Sequence, residues 1–577
     1  MRPLRVFLAS VVFVALVATA SVSATPNFNA WDSSFPIDGL WCIFYGCSSD
    51  FAVIGAGPSG ATLAATLAKE LPGYRIRSVT DGTPYQVEQE YSWTWFWNDT
   101  QNIPSHIKDI PYNTPHWTVE GSQVRFRSQY WPQCKVEAGC QMFNGGVCQA
   151  VTDDYWNQVA ALLADPFFLA SNVNQLTKWY ENYKISDPTN RHGHSGNLVM
   201  RNFPVEPAWF AALTSAMSSF GDCPILADTN GGTSGIGYAA RNVDVNYDGS
   251  PIRQTAYDKI LSPYLNDGTG KHTKVNLATV TKVIFHPIFS NRAIGYTYIK
   301  DGREVNEYVR REVILSTGNL QDAKLLYVSG VGPAAKLAAD GIPLVFDSPQ
   351  VGRNLMNEIV WNLVASVPFA EPRYNGSGTV ATWRSSRAIA RGDTLADCMI
   401  SFVRLAPGLM LFGLEQLRYD SRGKSIPING DYHQEWSTSF DINTDVWNTA
   451  PGTSDMDVQV EITQRGRAVI ALVGGTEVSP GQTAVANTPA AIKAWLPGVL
   501  DTNYHHHNSL HAIQTPTTAS PTAAATGVLD SNFNVIGTKG LRVVSNSFGP
   551  IQQDAHTSQH IAMRLGALGG AKIAQDY

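Results

Sequence analysis

The run Phe51-Ala-Val-Ile54, followed at once by Gly55-Ala-Gly-Pro-Ser-Gly60, constrains the fold of this chain more than any other feature. Four apolar residues, a glycine-rich turn and the helix-forming stretch 61–69 read as a buried strand, a tight turn and a helix, the start of a βαβ unit. Gly55 permits the turn, Gly57 lets backbone approach a pyrophosphate, and Gly60 allows the helix to pack closely on the strand. The helix N-terminus then faces the phosphates. The next strand, Tyr74-Arg-Ile-Arg-Ser-Val79, ends about twenty residues beyond the glycines, where such a unit places an acidic residue against ribose hydroxyls. Thr80 occupies that place and Asp81 follows it, so Asp81 serves only if the turn shifts by one residue.

Two distant blocks extend the pattern. Val313-Ile-Leu-Ser-Thr-Gly-Asn-Leu-Gln-Asp-Ala-Lys-Leu-Leu-Tyr-Val-Ser-Gly-Val-Gly-Pro333, continued by Val351-Gly-Arg-Asn-Leu355, resembles the second signature of the glucose/methanol/choline (GMC) oxidoreductases. Gly540-Leu-Arg-Val-Val-Ser-Asn-Ser547 resembles the segment by which the chain of that family re-enters its flavin domain. The resemblance spans 51–577 and is poor between about 360 and 500. It implies bound FAD, and cofactor contacts at Gly55, Gly57, Gly60, Asp81, Asn144, Val280, Ser545 and Asn546. Asn144 closes a small-residue run that lies along the flavin in relatives, and Val280 matches the position that meets adenine. It also implies an activity: oxidation of a small-molecule alcohol by hydride transfer to flavin N5, with oxygen or another acceptor reoxidising the flavin.

Such chemistry needs a group to take the hydroxyl proton, and imidazole is poised for it near neutral pH. His511, in Ser509-Leu-His-Ala-Ile-Gln-Thr515, and His556, sixteen residues after Gly540, fall where the family carries its paired residues. The resemblance makes His511 the proton acceptor and His556 the group that holds and polarises the substrate oxygen. Gln514 replaces a family glycine, and Ser545-Asn-Ser547 replaces an Asp-containing run. These departures, with Thr80, leave two other readings open: a non-oxidative FAD-containing member such as a hydroxynitrile lyase or fatty-acid photodecarboxylase, or a catalytically inactive secreted binding protein.

The expected fold class is α/β, a doubly wound Rossmann-like FAD domain with a second α+β domain on an antiparallel sheet. The 577 residues divide into a signal peptide (1–24), an extension (25–50), a discontinuous FAD domain (51–355), a substrate domain (356–500) and a C-terminal return with the histidines (501–577). Within the substrate domain, Asp457-Val-Gln-Val-Glu-Ile-Thr463 and Ala468-Val-Ile-Ala-Leu-Val473 read as strands. His505-His-His507 reads as a solvated polar turn rather than a metal site, because adjacent rings in an extended loop diverge. Trp93, Trp95, Phe96 and Trp97 fit a substrate platform or a core equally well.

Arg2 and Arg5, an apolar run over 7–20 and small residues up to Ala24 give a secretory leader cleaved after Ala24. A net charge of −6 without a long basic run gives no reason to expect nucleic acid or, after cleavage, a membrane as partner. Seven cysteines in an oxidising compartment favour some pairing, with Cys42–Cys47 and two of Cys134, Cys140 and Cys148 as candidates. The same set lacks a zinc-like pattern. Asn98-Asp-Thr100 and Asn375-Gly-Ser377 are glycosylation sequons.

Overall fold

The computed structural model describes residues 41–82, 107–110, 131–134, 136–142, 144–202, 207–245, 251–369, 377–427, 440–443, 455–513, 527–556 and 558–577. The leader, both sequon asparagines, the Trp93–97 cluster and Gln514 lie outside them. The framing elements of the first half are β1 (Cys47–Ile54), α1 (Pro58–Glu70), β2 (Ile76–Val79), α2 (Pro207–Ser218) and β3 (Ile236–Tyr238). There follow β4 (His272–Val275), β5 (Thr279–Phe285), β6 (Ala293–Lys300), β7 (Arg303–Leu315) and α3 (Asn319–Val328). The second half contributes β8 (Ile359–Ser366), β9 (Ser377–Trp383), β10 (Cys398–Ala406), β11 (Leu409–Gln416) and α4 (Asp455–Leu472). It closes with β12 (Thr476–Ser479), β13 (Asp501–Thr502), β14 (Leu541–Val543) and α5 (Ser558–Gln575).

The first sheet runs β4-β2-β1-β7-β6-β5, with β14 added beside β7. β1 pairs in parallel with both β2 and β7, and the C-terminal part of β7 pairs in parallel with β14. Where β1 and β7 are buried on both faces they are apolar: Phe51, Ala52, Val53, Val313, Ile314 and Leu315 exclude solvent entirely. This is the expected α/β body. The second sheet, β12-β8-β11-β10-β9-β3, is antiparallel and carries α2 and α4 on one face through Leu213, Met217, Ile462 and Val469, the expected α+β partner.

Two sequence expectations fail in the second half and at the start. Residues 457–463 and 468–472 are not strands but parts of α4, and Val473 follows its end. Their β-branched residues alternate locally, yet Val458, Ile462, Val469 and Ile470 recur at helical spacing on the sheet-facing side. Packing therefore overrides propensity. Gly466 lets the helix sit on β11, since a Cβ there would lie 2.9 Å from Leu414. The extension is also not wholly a surface segment: Trp41 is buried and its Nε1–H donates to Val309 O at 2.6 Å. A Cys42–Cys47 disulfide closes the turn into β1, and Cys140 is disulfide-bonded while Cys148 is a buried free thiol.

The C-terminal return is tied in by charge as well as by β14. Arg542 forms a two-point pair with Glu312 of β7, at 2.7 and 2.9 Å, with both side chains under a tenth exposed. Removing one partner of such a buried pair leaves an uncompensated charge. Arg542→Ala is expected to destabilise the protein by about 3–5 kcal/mol, measured from the urea midpoint; a loss below about 1 kcal/mol would show the pair to be incidental.

Candidate flavin site and a buried histidine–glutamate cluster

Three separate pieces of chain meet at one carbonyl. Val544 O, just past β14, accepts from Ser59 Oγ in the first turn of α1 at 2.7 Å and from Ser316 Oγ after β7 at 2.6 Å. Val544 N donates to Leu315 O at 2.9 Å. Beside it, the buried Asp322 carboxylate of α3 accepts from Thr317 N and Oγ1 and from the hydroxyls of Ser545 and Ser547. Burial pushes the Asp322 carboxyl up while those hydrogen bonds draw it down, and the net shift is upward. The last helix completes the junction. Its Gly566, Gly569 and Gly570 let α5 lie on α1 and Val544, where any Cβ would meet Ser59 O, Val544 or Thr66 at 2.4 to 2.6 Å.

The glycine loop lies at the rim of this junction, and its glycines divide in role. A Cβ on Gly55 would lie 2.2 Å from Ser316 O, and one on Gly60 2.2 Å from Gly55 O, so both are required by packing. A Cβ on Gly57 would meet nothing within 4 Å, so that face of the loop is open. Gly57 is the N-cap of α1, with no side-chain cap and no acidic residue in the first turn, which leaves the positive end of the helix uncompensated. Gly318, with φ +92°, is similarly open at the start of α3.

The other sequence-assigned positions spread around this rim. Asp81 follows Thr80 at the end of β2, where Thr80 O accepts from Ala278 N and so brings the β5 entry, with Val280, alongside. Asn144 binds Gln559 of α5 and Arg253 through its own amide. Ser545 is spent on Asp322. Asn546 donates to Ser558 O, while its buried Oδ1 has no hydrogen-bond partner among the described residues. An open glycine face, an uncapped helix N-terminus and an orphaned amide oxygen are a donor and acceptor set that fits a dinucleotide with a flavin ring.

Where β8 begins and β11 ends, four ionisable side chains cluster. Glu415 is on β11, paired with Val360 of β8, on the face opposite α4, because Met410, Phe412 and Leu414 point at the helix core. Glu358 immediately precedes β8. His505 follows β13, whose Asn503 N donates to Glu358 O, and His556 precedes α5. His556 Nδ1 lies 2.6 Å from Glu415 Oε2, which also accepts from Asn503 Nδ2 at 2.9 Å. His505 Nδ1 lies 2.5 Å from Glu358 Oε2, and the two imidazole rings are 5.1 Å apart.

The cluster sorts its protons by environment. Burial opposes charge on His556, but the field and hydrogen bond of Glu415 outweigh it and hold the imidazole above its ordinary value. Burial, reinforced by the charge of Glu415, pushes Glu358 well above the carboxylate range, while burial and the charge on His556 lower His505 to about 3. The field of Glu415 thus favours the charged form of His556, while burial favours the neutral forms of Glu358 and His505. Glu358, His505 and His556 offer ligand atoms within 4.8 Å of one another, close enough to converge on one cation as well as to share protons.

The expectation of a solvated turn at 505–507 is therefore corrected. His507 is fully buried with Nδ1 on His505 O, and burial lowers His506 to about 3 and His507 to about 4. The Met356–His507 bridge and the His505–Glu358 contact hold the turn against the protein, with His505 and His506 partly buried. His511 lies further along this segment, its carbonyl accepting from Val528 N at 2.9 Å, and is not one of the four clustered groups. Glu358, Glu415 and Asn503 were missed by sequence reasoning; the available signal was a carboxylate inside the apolar run Leu409-Met-Leu-Phe-Gly-Leu-Glu-Gln416.

Comparison with known proteins agrees with this architecture. Residues 174–360 match the family model described as GMC oxidoreductase. Mouse mitochondrial choline dehydrogenase is 29% identical over 54% of this chain and 50% of its own length. The alcohol dehydrogenase [acceptor] of Pseudomonas putida is 27% identical over 56% of this chain and 55% of its own. The matched part thus spans about half the length of these relatives. A pyranose dehydrogenase of Agaricus xanthodermus is 22% identical over 88% of this chain and 90% of its own. Among solved structures, pyridoxine 4-oxidase from Mesorbium loti superposes with a TM-score of 0.74 at 19% identity, covering 92% of this chain and 99% of that one. Over residues 174–360 the sequence is thus similar to the GMC oxidoreductases, and the fold is similar to that of pyridoxine 4-oxidase over most of the chain.

The linkage sign for His556 follows from its raised value. Stabilisation from the His556–Glu415 pair is fully present below the ordinary histidine value of 6.5 and is lost as pH rises through the raised one. Glu415→Gln removes the carboxylate that raises it, so the His556 ring should titrate at lower pH, read from its imidazole proton shifts by NMR. An unchanged titration would show that Glu415 does not set the charge of His556.

Proposed function

We propose that the protein is an FAD-dependent oxidoreductase that oxidises the CH–OH group of a small alcohol, exported to an oxidising compartment after cleavage of its leader behind Ala24. The observation that carries the reading is the part-buried contact of His556 with Glu415 at the end of β11, His556 lying on the chain segment that leads directly into α5 and the glycine-loop junction. FAD, when bound, accepts hydride from the carbinol carbon; the residues that would hold it are Gly55, Gly57 and Gly60 with Asn546, and Asp81 and Val280 at the adenosine end. The Cys42–Cys47 disulfide supports export, and among the described residues no helix is long and apolar enough to cross a membrane. Choline and alcohol dehydrogenases among the relatives support the CH–OH class.

In this reading His556 holds the substrate oxygen. Glu415 fixes Nδ1–H, so Nε2–H is the free donor, and its positive charge favours an oxygen that gains negative charge as its proton leaves. The second couple keeps a proton between Glu358 and His505 next to that donor. Motif position assigns proton acceptance to His511.

Purified protein should show flavin absorbance, bleached anaerobically by an alcohol. Gly57→Trp should fill the open loop face and lower flavin content. His556→Ala should keep its flavin yet reduce it roughly 10²- to 10⁴-fold more slowly in anaerobic stopped flow. His511→Ala should also be slow; a wild-type rate there combined with a slow His505→Ala would transfer proton acceptance to His505. Protein that is folded, reconstituted with FAD and still without flavin absorbance would contradict the proposal outright.

A further inference from the structure

We propose that a second cavity, remote in sequence from the glycine loop, binds a small oxyanion, a phosphate or a carboxylate group. It lies between residues 418–422, the short helix Ser386–Ala390 and residues 551–552. Its volume is about 80 Å³, several times the roughly 10–15 Å³ that one water requires.

Four guanidinium groups line it, from Arg387, Arg391, Arg418 and Arg422, and they are not equally matched. Arg391 is held by Asp420 through two bonds of 2.7 Å. Arg387 binds Asp455 at 2.8 Å and lies 3.8 Å from Asp397. Arg418 and Arg422 are different. Arg418 has one ion contact, 3.3 Å from Nη1 to Asp393, and its buried Nε and Nη1 make no hydrogen bond. Arg422 Nη1 donates only to the carbonyls of Tyr419 and Ser421, and among the described residues no carboxylate lies within ion-pair distance of it.

A third unmatched donor faces the same space. Gln552 is 2% exposed, and its Oε1 accepts from Tyr419 N at 2.8 Å. That assigns the amide, leaves its buried Nε2 without an acceptor, and Gln552 is one of the residues lining the cavity. The carboxylates present are already engaged: Asp420 with Arg391, Asp397 with Ser385 N and Oγ at 2.7 and 2.5 Å, and Asp393 with Arg418.

Guanidinium has five donors and no acceptor, and buried donors without partners cost free energy. Water would satisfy the hydrogens but leave Arg422 with only the fields of Asp420 and Asp455, neither within ion-pair distance of it. An oxyanion supplies both acceptors and a counterion, and the planar fork of arginine matches the oxygens of phosphate and carboxylate.

The test is isothermal titration of the full-length protein with inorganic phosphate, against sodium chloride at equal ionic strength. Saturable binding at millimolar phosphate is expected, weakened at least about tenfold in Arg418→Gln and in Gln552→Leu, each variant removing one of the unmatched donors. Arg422→Lys keeps the charge and removes the fork. It should melt as wild type without phosphate and lose most of the phosphate-induced rise in melting temperature. Absence of saturable binding to the wild type, or equal affinity in all three variants, would overturn the proposal.

Discussion

The structure depends on one acceptor. Val544 O takes hydroxyl donors from Ser59 and Ser316, residues belonging to the first helix, the middle block and, through Val544 itself, the C-terminal return. Each net hydrogen bond is worth only about 1 kcal/mol, yet the two share one acceptor and so tie all three segments to the same point. The geometry of the glycine loop follows from that. Gly55 abuts Ser316 O, and Gly60 abuts Gly55 O, so neither loop nor middle block can move alone.

The same junction accounts for the composition of the last helix. α5 passes Ser59, Thr62 and Thr66 with glycines at 566, 569 and 570, and its far end reaches Arg542 through Asp576. Glycine in a helix interior costs roughly 1 kcal/mol relative to alanine. Three of them here are offset by close packing of α5 on α1. A helix docked this closely fixes the loop that precedes it, which contains His556, relative to the second sheet, which contains Glu415 and Glu358.

Much of the first sheet was legible in the sequence, because a parallel strand buried on both faces is written as a continuous apolar run. Phe51–Ile54 and Val313–Leu315 are such runs, and Gly55 to Gly60 marks the turn between β1 and α1. The second sheet was less legible. Val458, Val460 and Ile462 alternate as a strand would, and only their packing against β11 makes them helical. The site was half legible for a related reason. His556 stands at a recognisable offset from Gly540, whereas Glu358 and Glu415 owe their chemistry to tertiary burial, which sequence periodicity does not carry. The histidine triplet misled because three polar residues in a row suggest water, and here His507 is fully buried and His505 meets Glu358.

The central claim is that the C-terminal return and the glycine loop form one cooperative unit around a bound flavin. Amide hydrogen exchange by mass spectrometry tests it directly, following peptides over residues 53–60, 313–317 and 541–548 with and without FAD. The account predicts that all three exchange together at one rate and are slowed together by FAD. Independent exchange of residues 541–548, with no response to FAD while the glycine loop is protected, would contradict it.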